Sequence, residues 1–145
     1  MMNLSSSLED YLEAIYELKI KEKVVRVTDI SLMLNVEKPS VNSAVKKLKN
    51  LKLVIHEKYE NVELTEKGEI LAKQIVKKHN VIFKFLNEFL GVPSGDAQKD
   101  ACLIEHVISN STFMRMCEFM EFFNSDSIVK SRDFSEMFCK SKSLK

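Results

Sequence analysis

The chain has 145 residues and a formal net charge of +1; 45% of the residues are hydrophobic, 30% are charged, and only three are glycine and two proline. This composition predicts a compact, mostly helical soluble protein of one domain or two small ones. No apolar run approaches the ~20 residues that a membrane helix needs, and the N-terminus lacks a signal-peptide pattern. The cysteines, Cys102, Cys117 and Cys139, are odd in number and widely spaced, which indicates reduced thiols in a cytoplasmic protein.

The first predicted helix begins near Ser5 and carries acids in its first turn, where they suit the helix dipole. Asp10 and Glu13 lie three residues apart on it and therefore share a face. Taken alone, the pair need be no more than solvated acids. The apolar residues that recur along this helix at helical spacing are Leu8, Leu12, Ile15, Tyr16 and Leu18.

Two short helices joined by a tight turn follow an extended stretch at Val24–Val27. We expect the first to start at Thr28, as its N-cap, and to run through Leu34, with Asn35 closing it. The second follows Pro39, which suits a helix start, and spans Ser40–Leu51 with Val41, Val45 and Leu48 facing inward. This pattern is a helix-turn-helix, whose second helix enters the major groove of DNA with its N-terminal residues foremost.

A β-hairpin is predicted directly after these helices, because residues 53–59 and 62–64 are β-prone and residues 60–61 favour a turn. Such a hairpin is the wing of a winged helix. Residues 38–58 also contain six lysines and one acid, a basic stripe typical of phosphate contact. The lysines alone could equally be the solvated face of a helix, but the order of the elements favours DNA binding.

On that interpretation, Ser40, Asn42 and Ser43 at the helix start can reach base edges, whereas the lysines hold phosphates and position the protein. The predicted DNA-contacting residues are Lys38, Pro39, Ser40, Asn42, Ser43, Lys46, Lys47 and Lys58.

A long helix of about 25 residues is predicted from Thr65, its N-cap, to Gly91. His79 lies midway along it, where a lone histidine is more often a surface or core-edge residue. The helix after the break at Gly91 would be capped by Ser94 or Asp96.

The last long predicted helix follows a cap at residues 109–111 and is rich in phenylalanine and methionine up to Phe123. So apolar a stripe indicates either core or a subunit interface. A homodimer suits a helix-turn-helix protein, because two recognition helices ~34 Å apart read a near-palindromic site. The tail from residue 125 holds enough apolar residues for one weak helix.

Cys102, Glu105 and His106 stand at positions i, i+3 and i+4 of a predicted helix, so their side chains leave one face about one turn apart. A thiol, a carboxylate and an imidazole can supply sulfur, oxygen and nitrogen to one transition metal ion. The alternative is a plain helix with one buried cysteine and two exposed polar residues, and the segment alone favours that alternative.

Four motifs, in this order and spacing, resemble the diphtheria toxin repressor and manganese transport regulator family of metal-activated bacterial repressors: residues 7–18 (SLEDYLEAIYEL), 38–41 (KPSV), 64–68 (LTEKG) and 104–109 (IEHVIS). The resemblance covers residues 5 to about 124. It implies a mainly α protein of the short type, with a winged helix-turn-helix domain at 1–72 and a helical metal-binding and dimerisation domain at 73–145. It also implies a double-stranded DNA operator, a homodimer and control of metal-uptake genes.

The resemblance carries the family's metal ligands onto Asp10, Glu13, His79, Cys102, Glu105 and His106. Manganese-type members have Glu at the position of Cys102, and iron-type members have Met at the position of Asp10, so this set is a hybrid. The acid and histidine of the iron type's ancillary site are replaced by Phe83 and Gln98.

The hybrid set implies Fe²⁺ or Mn²⁺ as the cofactor, with a slight preference for Fe²⁺ because a thiolate favours softer ions; Co²⁺, Ni²⁺ or Zn²⁺ could bind in vitro. Two other functions could use the same parts of the chain. A winged-helix regulator could answer to a small molecule or a partner protein instead of a metal. A metalloenzyme could use the same residues, but the chain has no H-E-x-x-H motif and no Gly-rich phosphate loop, so we expect no enzyme.

Overall fold

The structure, a computed structural model, describes residues 4–22, 24–57 and 61–125, and the chain divides into two compact units, Met1–Val76 and Lys77–Lys145. The fold is mainly helical with a small two-stranded sheet, as predicted. The elements are α1 (Ser6–Glu22), α2 (Val27–Leu34), α3 (Lys38–Asn50), β1 (Val54–Ile55), β2 (Glu63–Leu64), α4 (Glu66–Lys84), a π-helical segment (Phe85–Phe89), α5 (Ser94–Val107) and α6 (Asn110–Ser125).

The core of the first unit lies between α1, α2 and α3, whose apolar faces meet. A fully buried aliphatic side chain contributes roughly 1.5–3 kcal/mol, so this cluster is the main source of stability for the unit. The apolar positions predicted for α1 and α3 are largely the ones that are buried here. The fully buried large side chains of the three helices are Leu12, Ile15, Ile30, Val41, Val45 and Leu48.

The turn between α2 and α3 is closed by Asn35, which adopts the left-handed conformation at φ 52° and donates its N–H to the carbonyl of Leu32. The predicted end of α2 is therefore confirmed. Its predicted N-cap, Thr28, is wrong: the helix begins at Val27, and Asp29 Oδ2 accepts the N–H of Arg26 at 3.0 Å. An acid three residues past the cap satisfies that donor, which moves the start of the helix back.

The predicted hairpin forms as an antiparallel pair in which Val54 faces Leu64 and Ile55 faces Glu63. Its strands are shorter than predicted, with two residues each. Residues 58–60, which include the predicted DNA contact Lys58 and part of the predicted turn, lie outside the described residues.

The first residues of α4 and its cap contact residues that come just before the hairpin. Thr65 caps the helix as predicted, since its Oγ1 accepts the N–H of Gly68 at 3.0 Å and donates to the carbonyl of Lys52 at 2.8 Å. A Cβ added at Gly68 would overlap the carbonyl of Leu53, so only glycine fits this close approach. One turn on, hydrogen bonds from Lys19 and then Lys73 hold the pKa of Glu69 down at about 2.

The second unit contains an aromatic cluster around the π-helical segment. Phe89 is buried, and its ring centroid lies 6.1 Å from that of Phe85, 6.1 Å from that of Phe119 and 6.0 Å from that of Phe123. The long predicted helix thus continues to Phe89, but its last turn is π-helical.

The helix termini of the second unit follow the predictions only in part. Neither Ser94 nor Asp96 caps α5, because Ser94 is already its first residue and Pro93 occupies the N-cap. Ser109 does cap α6: its Oγ accepts the N–H of Thr112 at 3.2 Å. The weak helix predicted from residue 125 lies outside the described residues, and no described helix is long and apolar enough to span a membrane.

Candidate metal centre and nucleic-acid interface

Glu105 is the centre of the polar cluster in the second unit. It is 2% exposed, although a carboxylate is almost never fully buried unless it is paired. Its Oε2 accepts a hydrogen bond from Nδ1 of His79 at 2.6 Å. Among the described residues no hydrogen-bond donor reaches its Oε1, and Nε2 of His106 lies 3.6 Å from that oxygen.

Helix α5 brings the ligand atoms of Cys102, Glu105 and His106 together, within 4.8 Å of one another. The alternative of a buried cysteine beside two exposed polar residues is wrong, because Cys102 is exposed whereas Glu105 is buried and the His106 side chain is only 8% exposed. The burial is thus inverted relative to a plain amphipathic helix. A charged group occupies the position that packing alone would give to an apolar one.

His79 reaches the same cluster from α4 and is buried. A surface position is therefore wrong for this residue, whose side chain is 11% exposed and lies at the edge of the core. Its Nδ1 faces Glu105, and its Nε2 lies 2.9 Å from the side-chain nitrogen of Gln98. From the sequence, Gln98 was expected only to replace a ligand of the iron type's ancillary site. Its position one turn before Cys102 on α5 places both residues on one face.

The residues present fit a divalent transition metal ion. A buried oxygen without a hydrogen bond costs about 1–3 kcal/mol, and more for a charged group, unless a cation or a donor satisfies it. Oε1 of Glu105 is such an oxygen, and a thiol and an imidazole lie beside it. The thiolate and the imidazole suit Fe²⁺, Co²⁺ or Zn²⁺, and the carboxylate also suits Mn²⁺.

Asp10 and Glu13 lie on α1 in the first unit, and both are half-buried. They are three residues apart and flank the fully buried Leu12 on the helix. The two acids therefore stand at the edge of the apolar face of α1 and not on its solvent side.

Helix α3 divides sharply into a buried and an exposed side. Val41, Ala44, Val45 and Leu48 are buried. Lys49 reaches the hairpin, donating from Nζ to the carbonyl of His56 at 2.7 Å, a link that sequence reasoning missed. The predicted DNA contacts on this helix all lie on its exposed side: Lys38, Pro39, Ser40, Asn42, Ser43, Lys46 and Lys47.

Two family models match the chain. The model described as the iron-dependent repressor N-terminal DNA-binding domain matches residues 3–62, and the one described as the iron-dependent repressor metal-binding and dimerisation domain matches residues 65–132. The chain belongs to the iron-dependent repressor family. This membership supports a metal-dependent transcriptional repressor over a winged-helix regulator that answers to another signal, and the family is not a class of enzymes.

Relatives in this family are similar over most of the chain. An HTH-type transcriptional regulator of Methanocaldococcus jannaschii is 43% identical over 122 residues, covering 83% of this chain and 97% of the relative. The HTH-type transcriptional regulator MntR of Bacillus subtilis is 35% identical, covering 86% and 87%. The solved structure of the manganese regulator SloR is 32% identical with a TM-score of 0.71, covering 83% of this chain and 55% of that one. The chain thus spans about half the length of that solved protein.

Proposed function

We propose that this protein is a metal-activated repressor that binds a near-palindromic DNA operator as a homodimer and controls genes for metal uptake. The observation that carries the proposal is Glu105, a buried carboxylate that holds one histidine, lies beside another and keeps one oxygen without a hydrogen-bond donor in the described residues. Such a group is costly in a metal-free protein and useful in one that binds a cation. We propose cytoplasmic action, since DNA is the partner, and no catalytic role.

The proposed ligands are Asp10, Glu13, His79, Cys102, Glu105 and His106. The four from the second unit are supported by their geometry around Glu105. Asp10 and Glu13 are supported by the family resemblance and by their common face on α1. We propose a domain boundary at residues 72/73. The six proposed ligands then come from both domains.

The proposed cofactor is Fe²⁺ or Mn²⁺. A solved relative named a manganese regulator supports Mn²⁺, whereas the thiol of Cys102 favours Fe²⁺ or another softer ion. A bound ion would supply the positive charge that balances the buried carboxylate of Glu105. The residues of the chain do the rest: Glu105 fixes the ring of His79 through Nδ1, and α5 holds Cys102 and His106 on the same face.

Metal and DNA affinities are linked on this proposal, because ligands drawn from both domains bind the ion best in one arrangement of the protein. Allosteric couplings are typically 1–3 kcal/mol, so we expect metal to change DNA affinity about 5- to 150-fold. The exposed residues of α3 would contact the operator, with Lys46 and Lys47 on phosphates. Lys58, which follows α3 in the chain, is proposed as a further phosphate contact.

The proposed homodimer is supported by large apolar side chains that α5 and α6 leave exposed, including Leu103 at 70%, Val107 at 81% and Phe122 at 62%. Apolar residues of this size cluster at subunit interfaces. Sedimentation equilibrium of the purified protein at micromolar concentration checks the dimer, and a monomer there would contradict it.

The test of the whole proposal uses genomic DNA fragments selected on the purified protein in the presence of Mn²⁺. Fluorescence anisotropy then gives the dissociation constant of a selected fragment with Mn²⁺, with Fe²⁺ under anaerobic conditions, and with chelator. The proposal predicts that chelator weakens binding by a factor within the stated range. Equal affinity with metal and with chelator would contradict it.

A further inference from the structure

Both ring nitrogens of His79 are engaged inside the second unit. Nδ1 lies 2.6 Å from Oε2 of Glu105, and Nε2 lies 2.9 Å from the side-chain nitrogen of Gln98. A carboxylate only accepts hydrogen bonds, so Nδ1 of His79 must carry the proton. In the neutral ring Nε2 then holds the lone pair, which accepts an N–H from the amide of Gln98.

This arrangement bears directly on metal binding, because a histidine ligates through the lone pair of a neutral ring. Metal-binding histidines typically donate their other N–H to a carboxylate, and Glu105 already takes that role for His79. The nitrogen left for a metal ion is therefore Nε2, the atom that the Gln98 amide covers.

We propose that Gln98 is a positioning residue that masks Nε2 of His79 and so raises the metal concentration at which His79 becomes a ligand. The proposal rests on the proposed function, since it concerns the same centre. Gln98 is exposed and has a long side chain, so it can turn away into solvent, where its amide loses little. Glu105 and His79 stay in place when it does, because both are buried.

The expected size follows from the hydrogen bond that must be exchanged. A neutral hydrogen bond contributes modestly to stability, so its removal should lower the Mn²⁺ dissociation constant about 2- to 10-fold. Gln98→Met is the best variant, because it keeps the length of the side chain and removes the donor. Gln74→Met, at an exposed glutamine on α4, is the matched control.

The affinity test is a titration with Mn²⁺ alone, in which free Mn²⁺ is read by electron paramagnetic resonance. Gln98→Met should bind Mn²⁺ about 2- to 10-fold more tightly than the unaltered protein, and Gln74→Met should bind it equally. The same or weaker affinity in Gln98→Met would overturn the proposal. Failure of the unaltered protein itself to bind any metal would instead contradict the proposed function.

A second measurement needs no metal. Long-range ¹H–¹⁵N correlation spectra of the metal-free protein report which nitrogen of each histidine is protonated, and the chain has only three histidines. His79 should show a protonated Nδ1 and a hydrogen-bonded, unprotonated Nε2 whose ¹⁵N shift moves in Gln98→Met and not in Gln74→Met. An Nε2 signal identical in all three proteins would overturn the masking contact, whatever the metal affinities are.

Discussion

Replacing Glu105 with glutamine keeps the shape of the side chain and removes its charge, which separates its role in packing from its role in metal binding. In the metal-free protein two effects oppose each other. The charge-assisted hydrogen bond to His79 weakens by about 1 kcal/mol, while the cost of burying a carboxylate with a bare Oε1 is relieved by a similar amount. We expect the free energy of unfolding in chelator to change by less than about 1 kcal/mol.

With metal the two proteins should differ clearly. At a free Mn²⁺ concentration of 100 times the dissociation constant, binding stabilises the unaltered protein by about 2.7 kcal/mol. If Glu105→Gln weakens binding about 100-fold, the same Mn²⁺ concentration stabilises the variant by only about 0.4 kcal/mol. Urea unfolding with Mn²⁺ and with chelator measures both values, and Glu88→Gln, at an exposed acid, is the control. Equal stabilisation of Glu105→Gln and the unaltered protein by Mn²⁺ would refute the assignment of Glu105.

Three further predictions concern the other parts of the molecule. Cys102→Glu should shift metal selectivity from Zn²⁺ or Co²⁺ toward Mn²⁺ by about tenfold, or about 1.4 kcal/mol, in competitive titrations. The near-ultraviolet thiolate band of the Co²⁺ complex should vanish in this variant. An unchanged band would show that the thiol is no ligand. Lys47→Ala should weaken binding to all DNA sequences alike and lower the slope of log affinity against log salt concentration by about 1. Asn42→Ala should instead cost about 1–3 kcal/mol of binding free energy, and only on a selected operator. The reverse pattern would contradict the assigned contacts. Gly68→Ala should destabilise the protein by about 1–3 kcal/mol in urea unfolding. Gly95→Ala is the control and should not destabilise it, because the space around Gly95 is open. Equal stabilities of the two variants would contradict the close approach at Gly68.

The helical elements of the first unit could be predicted from the sequence because their signals are local. The spacing of Val41, Val45 and Leu48 specified the buried side of α3, and Asn35 marked the end of α2. The start of α2 could not be predicted, since Thr28 and the Asp29–Arg26 contact are competing local solutions. Only the packing of the helix selects between them.

The candidate site was predictable only in part. The spacing of Cys102, Glu105 and His106 placed three ligand-type atoms on one face, but it gave no sign that Glu105 would be buried and Cys102 exposed. His79 is 26 residues from Glu105, and no local pattern joins residues so far apart. Only the resemblance connected them. The contact of Gln98 with His79 depends on the rotation of two helices about their axes, which a sequence pattern does not fix.

The proposed coupling of metal binding and DNA binding in this protein is tested most directly by measuring the Mn²⁺ dissociation constant with and without a saturating selected DNA fragment. Coupling free energies are reciprocal, so DNA must tighten Mn²⁺ binding by the same factor by which Mn²⁺ tightens DNA binding. We expect equal factors of about 5 to 150 in the two experiments. A Mn²⁺ dissociation constant that DNA leaves unchanged would contradict the coupling.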